Sequence, residues 1–554
     1  MKKRIFAVLL AAVMAVGVLA GCGAEKKEES SAAPASSAAS SQAASSAASE
    51  EAPAGPAEVS YPYDTDVTLR VYIGGGQPLS SGQTDYKDVP FWKGLIENTG
   101  INCEWEYPVA GSDATAAYNL MLTEEELPHI VIGYYTNAAN MAELVEDGIA
   151  LNLNDYYEQY APDYYEMIIA SEDEYAVRNR KLASVDGTMP AFISVRSTPW
   201  GCTYVGPLVR QDWLDNLGLE IPKTIKDVED VLVAFQEEYD AFFTSPQNTF
   251  FIWAYGAFAG RTAAYYVDDN GVIQYANAQK EWKDWLTAMN KWYEMGILDP
   301  NFATSDSAYN AQMALEEKTG MGFNAISQQT KWRTEAAAAG LDADWVGFAY
   351  PTNEAGDVNK WIQTEYSTYT GSFGAYVTNA CDTEEELAAA MAWLNWAYTE
   401  EGQMYWNFGT EGDSYEMVDG KATFTDKMWK DERGIAQALR DYTGASAMPV
   451  GVQLEEFVRA KNDPACGDSV DLWVSNQVAA DYIVPGLPLT ADENAALADL
   501  NTALSTYVSE MSIKFITGQE SLDNFDAFLG QLDKMNLDDA LKIQNDGYQR
   551  FLGN

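Results

Sequence analysis

His129 is the only histidine in this chain of 554 residues, and that bounds the chemistry. Zinc sites built from several histidines are excluded. Any Ser-His-Asp or Cys-His relay would have to run through this one side chain. It lies in Leu127-Pro128-His129-Ile130-Val131, at the mouth of an apolar strand, and reads as a surface or hinge-proximal structural residue. Beyond Cys22, the cysteines Cys103, Cys202, Cys381 and Cys466 are far apart and show no C-x-x-C spacing. A zinc ribbon or thioredoxin-type motif is therefore absent, while one or two disulfides and four buried thiols both stay open. Gly74-Gly75-Gly76 lets backbone come close to a ligand, but no Gly-Lys-Ser/Thr follows to make a phosphate loop. Acidic clusters such as Asp463 to Asp471 lack EF-hand spacing and read as solvated loops. No metal site and no cofactor is expected, and the sequence leaves calcium binding open.

The elements that hold these residues announce themselves by period and cap. Val67, Leu69, Val71 and Ile73 alternate with polar or charged neighbours, which predicts a strand. Pro90 to Thr99 reads as a helix, and Ile130 to Ile132 as a short buried strand. Strand–helix alternation of this kind predicts an α/β fold. Thr224 with Asp227, Thr383 with Glu386, and Thr490 with Glu493 stand ahead of apolar stripes as helix starts. The last opens a long amphipathic helix with Leu497, Leu500, Leu504, Tyr507, Met511 and Phe515 on one face. Trp282, Trp285, Leu286, Met289, Trp292 and Tyr293 also share a helical face, a spacing that predicts core. No repeat of solenoid length is visible.

The amino terminus is built differently. Lys2, Lys3 and Arg4 precede an uncharged, mostly apolar run from Ile5 to Ala20. That layout is a secretory signal peptide, and the run is short of the roughly 20 residues a permanent span needs. Residues 23–60 are largely Ser, Ala, Glu and Pro, a composition that cannot bury enough surface to order itself. The rest is long enough for two or three ordinary domains, and no second apolar stretch approaches spanning length. A net charge of −49 repels phosphate backbones, so nucleic acid is excluded as a partner.

Several segments carry a resemblance. Leu19-Ala20-Gly21-Cys22 resembles the lipobox of bacterial lipoproteins, in which the cysteine is acylated and becomes the mature N-terminus. Leu127 to Val131 resembles the Leu-Pro-Asp-Ile strand of extracellular solute-binding lipoproteins of ABC transporters (family 1, the carbohydrate type of Gram-positive bacteria), with His129 where Asp is usual. Gly148 to Tyr156, Leu208 to Leu219 with Ile221 to Thr224, Tyr255 to Gly260, Glu294 to Pro300, Gly409 to Gly412, Lys514 to Gly518 and Tyr548 to Phe551 are similar to further signatures of that family, in its order. The main departures are His129 and the stretch from Ser194 to Gly206.

The resemblance implies a two-lobed, periplasmic-binding-protein-like (type II) α/β fold with the ligand cleft at the hinge. It implies a signal peptide at 1–21, a lipidated, disordered linker at 22–60, lobe 1 from 61–195 and 366–430, and lobe 2 from 196–365 and 431–554. It implies a non-catalytic receptor, expected to be a monomer, held on the extracellular face of a cell membrane by lipid on Cys22. Such a receptor captures a carbohydrate, an oligosaccharide by expectation, and passes it to an ABC transporter permease. Sugar recognition asks for aromatic faces to stack on the ring and polar groups to bond its hydroxyls. With 16 Trp and 33 Tyr the chain has the aromatics. Those outside helical stripes are the candidate contacts: Tyr134, Tyr135, Trp200, Trp253, Tyr255, Trp332, Trp361 and Trp406. Gln77, Arg261, Asn324, Gln328 and Glu411 are the polar candidates. Competing readings are a surface-anchored glycosidase or lyase, a binder of peptide or another solute, and a receptor reporting to a sensor kinase.

Overall fold

In the computed structural model, Leu69, Val71 and Ile73 of the strand Thr68–Ile73 are wholly buried, as the alternation requires. This strand pairs in parallel with Asn102–Glu106 on one side and Ile130–Ile132 on the other. They belong to a six-stranded sheet whose spatial order is Val452–Gln453, Phe192–Arg196, Tyr369–Val377, Ile130–Ile132, Thr68–Ile73, Asn102–Glu106. Tyr369–Val377 runs antiparallel to both its neighbours. The structure describes residues 59–74, 79, 82–109, 112–133, 138–184, 187–244, 264–357, 359, 364–446, 450–475 and 482–553. All of these lie in one compact unit, Gly55–Asn554.

A second, four-stranded sheet has the order Trp345–Gly347, Val205–Arg210, Met321–Ala325, Phe243–Thr244. Each sheet has its own core. The first gathers Leu69, Trp92, Ile130, Phe192, Tyr376 and Trp393. The second gathers Leu208, Trp213, Trp285, Trp292, Trp345 and Trp473. Two sheets with separate cores make the two-lobed α/β arrangement. The helix Lys280–Glu294 buries Trp282, Trp285, Leu286, Met289 and Trp292, so its tryptophans are core. All three capping pairs form reciprocal boxes, at Thr224/Asp227, Thr383/Glu386 and Thr490/Glu493.

Two expectations are corrected. The strand Val452–Gln453 belongs to the first sheet, paired with Phe192–Arg196, so the chain leaves that layer after 453 and not at 430. A satellite core packs Ala438, Leu439 and Ala445 of the stretch between against Phe408, Phe424, Met428 and Phe457. The acidic run Asp463 to Asp471 is not a loop: Pro464–Val474 is a helix with Asp463 as its N-cap. Its acids are used locally, Asp463 against Arg333 and Asp471 against Arg459.

His129 is structural. Its Nδ1 accepts the Arg70 backbone N–H at 2.8 Å, and burial lowers its pKa. The open cysteine question is also answered: Cys103, Cys202, Cys381 and Cys466 are all free thiols.

Candidate functional site

Three crossing segments join the sheets, and they meet. The first runs from Phe192–Arg196 through the short turn Pro199–Cys202 into Val205–Arg210. Proline opens that turn, where its missing N–H is no loss. The second leads from Trp345–Gly347 back to Tyr369–Val377. The third leaves Val452–Gln453 through the helix Glu455–Ala460 into Pro464–Val474.

Hydrogen bonds sew these passages together. Backbone N–H groups of Arg196 and Ser197 donate to the carbonyls of Thr368 and Gln453, both at 2.9 Å. The Glu455 N–H donates to Ser197 Oγ at 3.0 Å, and Thr198 Oγ1 donates to Glu455 Oε2 at 2.7 Å. Cys202 Sγ donates to the Ser367 carbonyl at 3.4 Å. Burial pushes that thiol up to about 11, which makes it an inert neutral group at physiological pH.

A cavity of about 220 Å³ lies at this junction. The first crossing supplies Arg196, Trp200, Thr203 and Tyr204, and the third supplies Gln453, Lys461 and Asn462. Ala325, Ile326 and Ser327, where the strand Met321–Ala325 hands over to the helix Ile326–Ala338, close another side. Arg196 is ion-paired to Glu365 of the second crossing, and Tyr204 OH donates to the same carboxylate at 3.3 Å. Burial disfavours the Arg196 charge most strongly, but Glu365, with Cys202 and Tyr204, together outweigh it and hold the guanidinium pKa above its ordinary value. Trp200 Nε1 donates to Asp471 at 2.8 Å, and the Arg459 guanidinium sits 4.1 Å from the ring centroid, covering one face.

Of the expected contacts, Trp200 lies in the cavity wall. Asn324 and Gln328 flank the lining residues 325–327. Asn324 is buried with Nδ2 lacking a partner, and Gln328 has a buried Oε1 likewise lacking one. Trp332 is not in a polar loop: it sits in the helix Ile326–Ala338, buried, 4.7 Å from the Trp345 ring. Trp406 is buried in the helix Glu400–Phe408, edge-on to Phe91 at 5.0 Å. Both rings are enclosed by core, which leaves no face for a ligand. Glu411 is exposed beside the hairpin Tyr415–Val418 and Lys421–Phe424, away from the cavity's lining. Cys22, Gln77, Tyr134, Tyr135, Trp253, Tyr255, Arg261 and Trp361 fall outside the described residues. Sequence reasoning missed Arg196, Thr203, Tyr204 and Lys461. The departure from the family pattern at Ser194 to Gly206 was the available signal for the first three. Nothing local marked Lys461.

Two sheets with separate cores, three crossings and a polar-walled cavity where they meet define a two-lobed binding protein. The chain belongs to the bacterial extracellular solute-binding proteins, whose family model matches residues 81–404. It is similar to lipoprotein LipO of Bacillus subtilis, 26% identical over 65% of this chain and 71% of that one. It is also similar to the polygalacturonan/rhamnogalacturonan-binding protein YtcQ of the same organism, 20% identical over 78% of this chain and 82% of the relative. Among solved structures, an HMO-binding, ABC-transporter-associated solute-binding protein from Bifidobacterium longum infantis superposes with a TM-score of 0.68. Its identity is 18%, over 88% of this chain and 99% of that one. No helix of the described residues is long and apolar enough to cross a membrane.

Proposed function

We propose that this chain is a non-catalytic receptor that captures a carbohydrate, an oligosaccharide, and hands it to the permease of an ABC transporter. The observation that carries this reading is the cavity at the crossings. It is walled by an indole, a phenol, hydroxyls, amides and cations drawn from segments that join the two lobes. A ligand bound there touches the groups that move when the lobes close, and it shifts closure by its differential affinity for the two forms. The names of YtcQ and of the Bifidobacterium protein supply the ligand class. Trp200, Asn324 and Gln328 are the contacts we assign among the described residues. Gln77, Tyr134, Tyr135, Trp253, Tyr255, Arg261 and Trp361 complete the set. The lipobox at Leu19 to Cys22, with LipO named a lipoprotein, supports a lipid anchor on the outer face of a Gram-positive cell membrane, the protein acting as a monomer.

Geometry also favours binding over catalysis. Glu365 and Asp471, the carboxylates bonded to cavity side chains, are each tied to an arginine, Arg196 and Arg459. A glycosidase needs two carboxylates held free on either side of the scissile bond.

A thermal-shift screen over oligosaccharides, peptides and metal ions, with chromatography of the sugar after long incubation, tests the reading. An oligosaccharide should raise the unfolding free energy by about 2.7 kcal/mol at a hundredfold excess over Kd, and emerge unchanged. Stabilisation by peptides alone, or sustained turnover abolished by one Asp or Glu substitution, would sink it.

A further inference from the structure

The arginines around the cavity are all neutralised. Arg196 has Glu365, Arg459 has Glu455 and Asp471, and Arg333 has Asp344 and Asp463. Lys461 is the exception. It is half-buried in the cavity wall, and its Nζ lies 4.8 Å from the centroid of the buried Phe457 ring. Among the described residues no carboxylate comes within ion-pair distance of it. Burial lowers its ammonium pKa to about 8, with no carboxylate to offset it.

A second group in the same wall is also unsatisfied. Thr203 is wholly buried, lines the cavity, and its hydroxyl has no hydrogen-bond partner. Buried polar groups find partners in the working state of a protein. A neutral sugar hydroxyl would satisfy Thr203 but would leave the cation uncompensated.

Resting on the carbohydrate reading, we propose that this cavity is a subsite for a singly charged anionic group on the sugar, a carboxylate or sulfate ester. Lys461 is its counter-ion and Thr203 its hydroxyl donor. One unpaired positive charge matches one negative charge. A doubly charged phosphate would leave excess negative charge beside Glu365 and Glu455, which already bond the crossing segments.

Titration calorimetry tests this with trigalacturonate, its methyl ester, a galactose-sulfate disaccharide, the unsulfated disaccharide, and a neutral galactotriose. The ester keeps the ring and hydroxyls and removes the charge. At least one charged probe should bind about tenfold more tightly than its uncharged counterpart. Which pair shows the preference identifies the group. In Lys461→Met that ratio should fall to about one, and in Lys461→Arg it should persist. Thr203→Val should weaken the preferred probe without removing the preference. Thermal unfolding of each variant confirms that it is folded. Equal binding of charged and uncharged probes, or a preference that survives Lys461→Met, overturns the subsite. If galactotriose binds with no preference for charge, the subsite fails and the carbohydrate reading stands. If no sugar binds and peptides do, both fail.

Discussion

Lys461 holds its ammonium pKa near 8 because burial strips water from it. In the unfolded chain the same group titrates near 10.4. The folded state therefore binds its proton less tightly than the unfolded state does. The sign follows. The penalty is full below pH 8, where both states carry the charge, and it fades as pH rises from 8 towards 10.4, where both lose it. Lys461→Met should accordingly make the empty protein more stable at pH 7, by about 2 kcal/mol once partial exposure is allowed for. The gain should shrink above pH 9. Urea unfolding at pH 7 and pH 10 measures both, and a variant that is less stable at pH 7 would refute the account. A residue that costs stability and improves binding of one charge class is what a site predicts and a core does not. Residue roles were only partly legible beforehand. Trp332 and Trp406 read as ligand platforms in the sequence because loop and helix end are hard to tell apart near polar neighbours. Tertiary packing against Trp345 and Phe91 decided otherwise.

At the scale of elements, local signals were read well and long-range ones poorly. The three capping boxes, the strand at Ile130–Ile132 and the helix Pro90–Thr99 stand where residue chemistry put them. The two-residue strand Val452–Gln453 was invisible, because its membership of the first sheet depends on Phe192–Arg196, some 250 residues earlier in the chain. The helix Pro464–Val474 reads as loop in the sequence because its acids mask the buried face of Cys466, Val470 and Trp473. That helix lies against the second sheet through a glycine. A Cβ placed on Gly206 would sit 2.3 Å from the Trp473 indole. The ring cannot easily yield, since its Nε1 donates to the Pro207 carbonyl at 3.2 Å and the side chain is wholly buried. Gly206→Ala should therefore cost about 1–3 kcal/mol by overpacking. The urea midpoint should fall at unchanged slope. A midpoint within error of the parent would mean that helix and sheet separate more freely than their contact implies.

For the whole molecule the question is what joins the lobes. The main-chain bonds from Arg196 and Ser197 to Thr368 and Gln453 fix the three crossings to one another. Side chains add further ties, among them an ion pair: Arg196 and Tyr204 of the first crossing share Glu365 of the second. The Arg196 side chain is 12% exposed and Glu365 35%, so the pair is neither a surface ion pair nor a fully desolvated one. Removing either partner leaves the other with an uncompensated charge. After discounting for the solvent at Glu365, Glu365→Ala and Arg196→Met should each cost about 1–3 kcal/mol. The double variant should cost less than the sum, with a coupling of about 1 kcal/mol or more. Salt separates this from a surface effect, because a partly buried pair is screened far less than an exposed one. The coupling should persist when the cycle is repeated at about 0.5 M sodium chloride, where the Debye length is only a few ångströms. Chevrons of the parent and the three variants also report where the tie acts. If it holds the crossings only in the native state, the loss should appear chiefly as faster unfolding. A coupling near zero at low salt would assign the union of the lobes to the backbone bonds and the other side-chain bonds of the crossings, and free Glu365 from any part in it.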